Sequence, residues 1–100
     1  MSVQLNRPAS PCSQLLVVTP ASPVIYAAED GGALPFPMTV CATPGAGGTL
    51  LVETRVSASG NWTAWPSGAV AVKTTMAMYS AQQGLRFTAA AANGTVELAQ

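Results

Sequence analysis

The ten residues TLLVETRVSA, positions 49–58, decide how the chain is read. Leu50, Val52, Thr54, Val56 and Ala58 fall on one side of an extended chain. Leu51, Glu53, Arg55 and Ser57 fall on the other. A period of two is the pattern of a strand with one buried and one wet face. Helical spacing would set Glu53 beside Val56 and mix polar with apolar, so the stretch is a strand.

Working outward, the same grammar recurs. MTVCAT (38–43) alternates Met38, Val40 and Ala42 against Thr39, Cys41 and Thr43. In LRFTA (85–89), Leu85 and Phe87 oppose Arg86 and Thr88, and in TVELA (95–99) Val96 and Leu98 oppose Thr95 and Glu97. SQLLVVT (13–19) and SPVIYA (22–27) are apolar and β-branched, with Pro20 and Pro23 at their ends. AVAVKTTMAMYSA (69–81) fits a strand with Val70, Val72, Thr74, Met76 and Met78 on one face, although its Ala and Met content also tolerates a helix. Turn chemistry separates these runs. AEDGGALPFP (28–37) reads as a loop, PGAGG (44–48) as a hairpin connection, and Ser59-Gly60-Asn61 and Pro66-Ser67-Gly68 as two further turns. Asn93-Gly94 is the strongest short hairpin signal of all. About eight short strands, spaced by about 8–12 residues, predict an all-β fold: a small antiparallel β-sandwich, jelly-roll-like or Ig-like. Residues 1–12, with two prolines, read as an N-terminal arm, and 13–100 as the sandwich domain.

One hundred residues suffice for one core. Apolar residues make up 49% of the chain and charged ones only 8%, with net charge zero, so disorder is excluded and the surface is poor in charge. Such a surface points to coverage by another subunit. No apolar run approaches the ~20 residues of a membrane helix, and the start shows no secretory signal, so no membrane role is expected.

Chemistry finds few groups to work with. There is no histidine, which removes Cys–His pairs, Ser–His–Asp triads and the commonest metal ligand. Glu53 and Glu97 form a two-carboxylate site only if the fold brings them together. Glu29-Asp30-Gly31-Gly32 lacks the alternating acids of a calcium loop, and PGAGG lacks the Lys-Ser/Thr of a phosphate loop. Cys12 and Cys41 are either one disulfide or, the favoured reading, two buried free thiols. The four basic residues are scattered, which argues against nucleic acid as a partner. The expectation is a protein without catalytic residues, metal or cofactor.

SASGNWTAWPSGAV (57–70) holds both tryptophans, Trp62 and Trp65, and no charge. Three residues apart on a strand, they face opposite sides of a sheet and make no single stacking platform. Continuing the alternation puts Trp62 inside with Val56 and Phe87 and leaves Trp65 the more exposed ring. Exposed aromatics are frequent at subunit contacts. The expected interface residues are Trp65 and Trp62, with Tyr79 and Arg7.

VETRVSASGNWTAWPSGAV followed by LRFTAAAANGTVEL resembles a pattern in small virion structural proteins of tailed bacteriophages. There an alternating strand leads through a Gly turn to W-x-x-W-P-x-G, and an "ALRF"-like strand and a Gly-centred turn lead to a terminal V-x-V strand. The likeness covers residues 49–98; the present chain has Ser57-Ala58-Ser59-Gly60-Asn61 in place of the usual Asp-Gly-Gly turn. The resemblance implies a virion protein made in the host cytoplasm, placed on the capsid exterior as a decoration (cement) protein. Its implied partners are the major capsid protein and other copies of itself, as a trimer around threefold positions. The alternative it leaves is a carbohydrate- or receptor-binding sandwich module of a fibre or tail.

Overall fold

The computed structural model describes residues 3–6, 13–28, 33–34, 37–57, 59–80 and 82–99, with 3–6, 13, 66 and 67 described in backbone only. Nine strands follow one another without a helix among the described residues: β1 (Val3–Asn6), β2 (Ser13–Val18), β3 (Val24–Ala27), β4 (Met38–Thr43), β5 (Thr49–Arg55), β6 (Thr63–Val70), β7 (Thr74–Met78), β8 (Gly84–Ala90) and β9 (Gly94–Ala99). They form two sheets, β1-β3-β8-β5-β6 and β2-β9-β4-β7. The expected β-sandwich is thus the fold.

The topology is more specific than the sequence reading. β5 pairs with β6, β4 with β7, β3 with β8 and β2 with β9, every pair antiparallel. From β2 onward the chain is one long hairpin, folded at the β5–β6 corner and wrapped so that its arms alternate between two sheets. That arrangement is a jelly roll. Residues 3–6, within the stretch read as an arm, instead add β1 to the sheet edge, parallel to β3. Arg7 and Cys12 lie outside the described residues.

The period-two pattern places the core where alternation predicts. Leu50, Val52 and Thr54 of β5, Met38, Val40 and Ala42 of β4, and Leu85, Phe87 and Ala89 of β8 all point between the sheets and are buried. Tyr26, Leu34 and Val96 are sealed with them. The alternation does not run as far as expected. β5 ends at Arg55, and Val56 is exposed; Ala58 lies outside the described residues. The 69–81 segment divides into the end of β6, a turn that leaves Val72 exposed, and β7, whose Met76 and Met78 face the core. Of the 28–37 loop, Leu34 is described: it is buried, and its N–H donates to the Gln82 carbonyl at 2.7 Å.

Two connections read as hairpins are crossovers. Residues 44–48 carry the chain from β4 in one sheet to β5 in the other, and residues 91–93 carry it back from β8 to β9. The two loops pack on one another at one end of the sandwich. A Cβ on Gly45 would lie 2.2 Å from the Asn93 carbonyl oxygen. Gly94 makes no turn at all. It is the first residue of β9, pairs with Val18, and a Cβ there would lie 2.8 Å from both Cγ and Cδ1 of Leu50. Glycine is needed at these sites for closeness, not for a reversal of direction. Pro66-Ser67-Gly68 is not a turn between strands either. It lies within β6, where the four residues 65–68 stand opposite the single residue Val52.

Candidate functional site

The outer face of the five-stranded sheet gathers most of the charge that can be placed. Registers set its rows. Arg55 pairs with Gly84, and Gly84 pairs with Ala27. In the next row Ala64, Glu53, Arg86 and Ile25 stand side by side. Thr63 opposes Thr54, so the residue before it, Trp62, comes level with Arg55 on the same face. Gly84 has no side chain to occupy the row, and the Trp62 ring reaches over it; Cη2 would sit 3.3 Å from a Cβ there.

Trp62 therefore covers two cations. The Arg55 guanidinium lies 4.4 Å and that of Arg86 4.9 Å from the ring centroid, both within cation–π range. Each guanidinium is also held from the side. Arg86 donates to Glu53 Oε1 from Nη2 at 2.8 Å and from Nε at 2.9 Å, the cross-strand charge pair that two wet strand faces favour. Arg55 Nε donates to Gln83 Oε1 at 2.6 Å. Gln83, only 2% exposed, ties the arrangement to its surroundings. Its Nε2 donates to the Ala28 carbonyl at 3.0 Å, its N–H to the Arg55 carbonyl at 2.8 Å, and its carbonyl accepts from the Ala28 N–H at 2.9 Å. One buried glutamine thus joins the ends of β3 and β5 and orients Arg55 under the ring.

Gln83 was invisible to pattern reading, since a Gln-Gln-Gly run looks like a wet turn. Gln83→Ala is expected to cost about 2 kcal/mol, because it strands the buried Ala28 carbonyl and frees Arg55. Urea unfolding measures this; a loss below about 0.5 kcal/mol would show that the links are dispensable.

The tryptophan assignment is reversed relative to expectation. Trp62 lies on the outer face with Arg55 and Arg86, not inside with Phe87. Trp65, one residue beyond the outward Ala64, turns inward and packs against the core. The cause is the register of the β5–β6 corner, which alternation along a single strand cannot supply. The two rings share no platform.

The chain matches no protein-family model and no curated protein. Glu53 and Glu97 are on opposite outer faces of the sandwich, one on each sheet, so these two carboxylates form no common site. No group of three His, Cys, Asp or Glu residues able to hold a metal occurs among the described residues. Cys41, a free thiol on the outer face of β4, accepts a 3.5 Å hydrogen bond from the Thr75 hydroxyl. Tyr79, just past β7, is 75% exposed. Among the described residues no helix is long and apolar enough to cross a membrane.

The four-stranded sheet presents a very different outer face. Its rows run Ala99, Thr39, Ala77, then Leu15, Glu97, Cys41, Thr75, then Val17, Thr95, Thr43. Glu97 is the one charge within its strands among the described residues, Lys73 comes level with Thr43 at the rim just before β7, and Leu15 and Val17 stand 65% and 61% exposed. Small threonine and alanine side chains leave the rest of this face shallow. It can take another surface closely, with little charge to strip of water.

Proposed function

We propose that this chain is a non-catalytic virion structural protein that docks the outer face of β2-β9-β4-β7 on another protein. In the form its sequence resembles, it decorates the exterior of a tailed-phage capsid, with the major capsid protein as partner. The observation that carries the reading is that face: apolar side chains and small neutral ones around a single acid, with Lys73 at its rim. Monomeric proteins keep such faces small or charged. Jelly rolls serve in capsid and lectin domains alike, so the fold accommodates the proposal without selecting it. Binding would stabilise a head by adding apolar burial across subunit boundaries, with no bond made or broken.

The test is co-sedimentation with tailed-phage heads stripped of their decoration proteins. The chain is expected to pellet saturably. Thr39→Lys, which sets a charge at an exposed position within the face, is expected to weaken binding at least about tenfold while leaving the melting temperature unchanged. Binding that ignores this substitution would place the contact elsewhere. The alternative, a glycan- or receptor-binding role at the Trp62 corner, is marked by a tryptophan fluorescence change with oligosaccharide alone.

A further inference from the structure

Of the three asparagines, only Asn93 is followed by glycine. Such a pair can react with itself. The Gly94 nitrogen attacks Cγ of the Asn93 side chain, its proton passes through water to the side-chain amide, and that amide leaves as ammonia. A five-membered imide closes. Water then opens the ring at either carbonyl, giving aspartate or isoaspartate. Glycine permits the attack because it has no side chain to shield its nitrogen, whereas Arg7 and Trp62 shield theirs after Asn6 and Asn61.

Asn93 is exposed, so water reaches its side chain and the backbone decides whether the ring closes. Closure brings the Gly94 nitrogen onto Cγ by rotation about the Asn93 Cα–C bond, out of the broad β and α regions. The Asn93 carbonyl must swing with it. That carbonyl lies against the 44–48 crossover, where a Cβ on Gly45 would sit 2.2 Å from its oxygen and 3.3 Å from its carbon. Gly94 is fixed too: it is in register with Val18, and a Cβ there would meet Leu50 at 2.8 Å. A Cβ on Gly48 would lie 2.8 Å from that of Ala92 and 3.0 Å from the Ala92 nitrogen. The peptide between residues 93 and 94 is thus clamped between one loop and the core. The crossover is strained as well. Ala91 stands at φ 70°, a left-handed conformation that persists only where the surroundings dictate it.

We propose that Asn93 is a modification site that the fold keeps shut. While the 91–93 crossover lies on 44–48, the clamp withholds the geometry of ring closure. When the crossover lifts away, Asn93 deamidates, and the change is permanent. The two products differ in consequence. Aspartate leaves the main chain as it was and adds one negative charge at an exposed position. Isoaspartate routes the main chain through Cβ and Cγ, which inserts one carbon just before β9. That strand is paired on both sides at once, with β2 from Gly94 and with β4 from Thr95. The insertion is less than a residue, so a bulge does not absorb it. The three-residue crossover, pressed against 44–48, has no slack to take it up. Gly94 must leave Leu50 or β9 must leave its partners, and the isoaspartyl chain is shut out of the sandwich.

Mass spectrometry of the intact chain, aged at mildly alkaline pH with and without guanidinium chloride, tests the proposal. Deamidation reads as a gain of one mass unit, and peptide mapping places it. Asn93 is expected to react in denaturant and at least about a hundredfold more slowly in the folded chain, because local opening gates the reaction. Asn93→Gln, which cannot close a five-membered ring, is expected to abolish that signal in both. Gly45→Ala wedges the clamp itself and is expected to speed the folded-state reaction at least about tenfold more than Trp65→Ala, a loss of packing on β6. A second measurement follows the products. Chains aged in denaturant and then diluted from it are expected to refold as asparagine and aspartate forms, with isoaspartate, detected by isoaspartyl methyl transfer, confined to the unfolded fraction. A folded chain that reacts within about threefold of the denatured rate overturns the proposal. Equal acceleration by Gly45→Ala and Trp65→Ala overturns the clamp, and isoaspartyl chains that refold to the parent melting temperature overturn their exclusion.

Discussion

Gly45→Ala is expected to destabilise the fold by at least about 3 kcal/mol, at the top of the usual range for overpacking. The added methyl would sit 2.2 Å from the Asn93 carbonyl oxygen, far inside contact distance, and the atom it meets is backbone. A flexible side chain can swing aside; a carbonyl held between β8 and β9 moves only if the 91–93 crossover moves with it. Gly94→Ala tests the same closeness against a softer neighbour. Its methyl meets Leu50, which is fully buried, at 2.8 Å. Leu50→Ala alone is expected to cost about 3 kcal/mol through the cavity it leaves. The double variant is expected to cost less than the sum of the two, since the new methyl enters that cavity. No such rescue is expected at Gly45. Urea unfolding of the four variants measures all of this, and a Gly94→Ala protein as stable as the parent would show that the approach to Leu50 is not tight.

Those two glycines also show where the sequence stops being legible. The inward faces of β4, β5, β8 and β9 were readable because burial between two sheets imposes a period of two on each strand separately. Partner choice leaves no such local trace. Asn93-Gly94 and PGAGG carry the same residues whether the chain reverses beside itself or crosses to the other sheet. In a jelly roll almost every connection crosses. Ser13 pairs with Ala99, and no window of adjacent residues contains that fact. The site was half legible for the same reason. Glu53 and Arg86 could be placed on wet faces, and their opposition follows once β5 lies beside β8. Gln83 and the side on which each tryptophan falls depend on registers between strands.

The tryptophan reversal gives the second large effect. If Trp65 were the exposed ring, its loss would leave the isolated fold intact. Since it packs against the core as the first of residues 65–68, where β6 departs from β5, Trp65→Ala is expected to cost about 3 kcal/mol. That is the low end for truncating a large aromatic, because the ring is only partly buried. Trp62→Ala removes a cover from two guanidiniums that keep their Glu53 and Gln83 partners, and is expected to cost about 1–2 kcal/mol. The order of the two losses is the informative quantity, because solvent screening lowers the value of charges near the surface but not of apolar packing. Denaturant midpoints at constant m-value give that order directly. A larger loss at Trp62 would mean that the clasp over Arg55 and Arg86, rather than the inward ring, holds the β5–β6 corner in place.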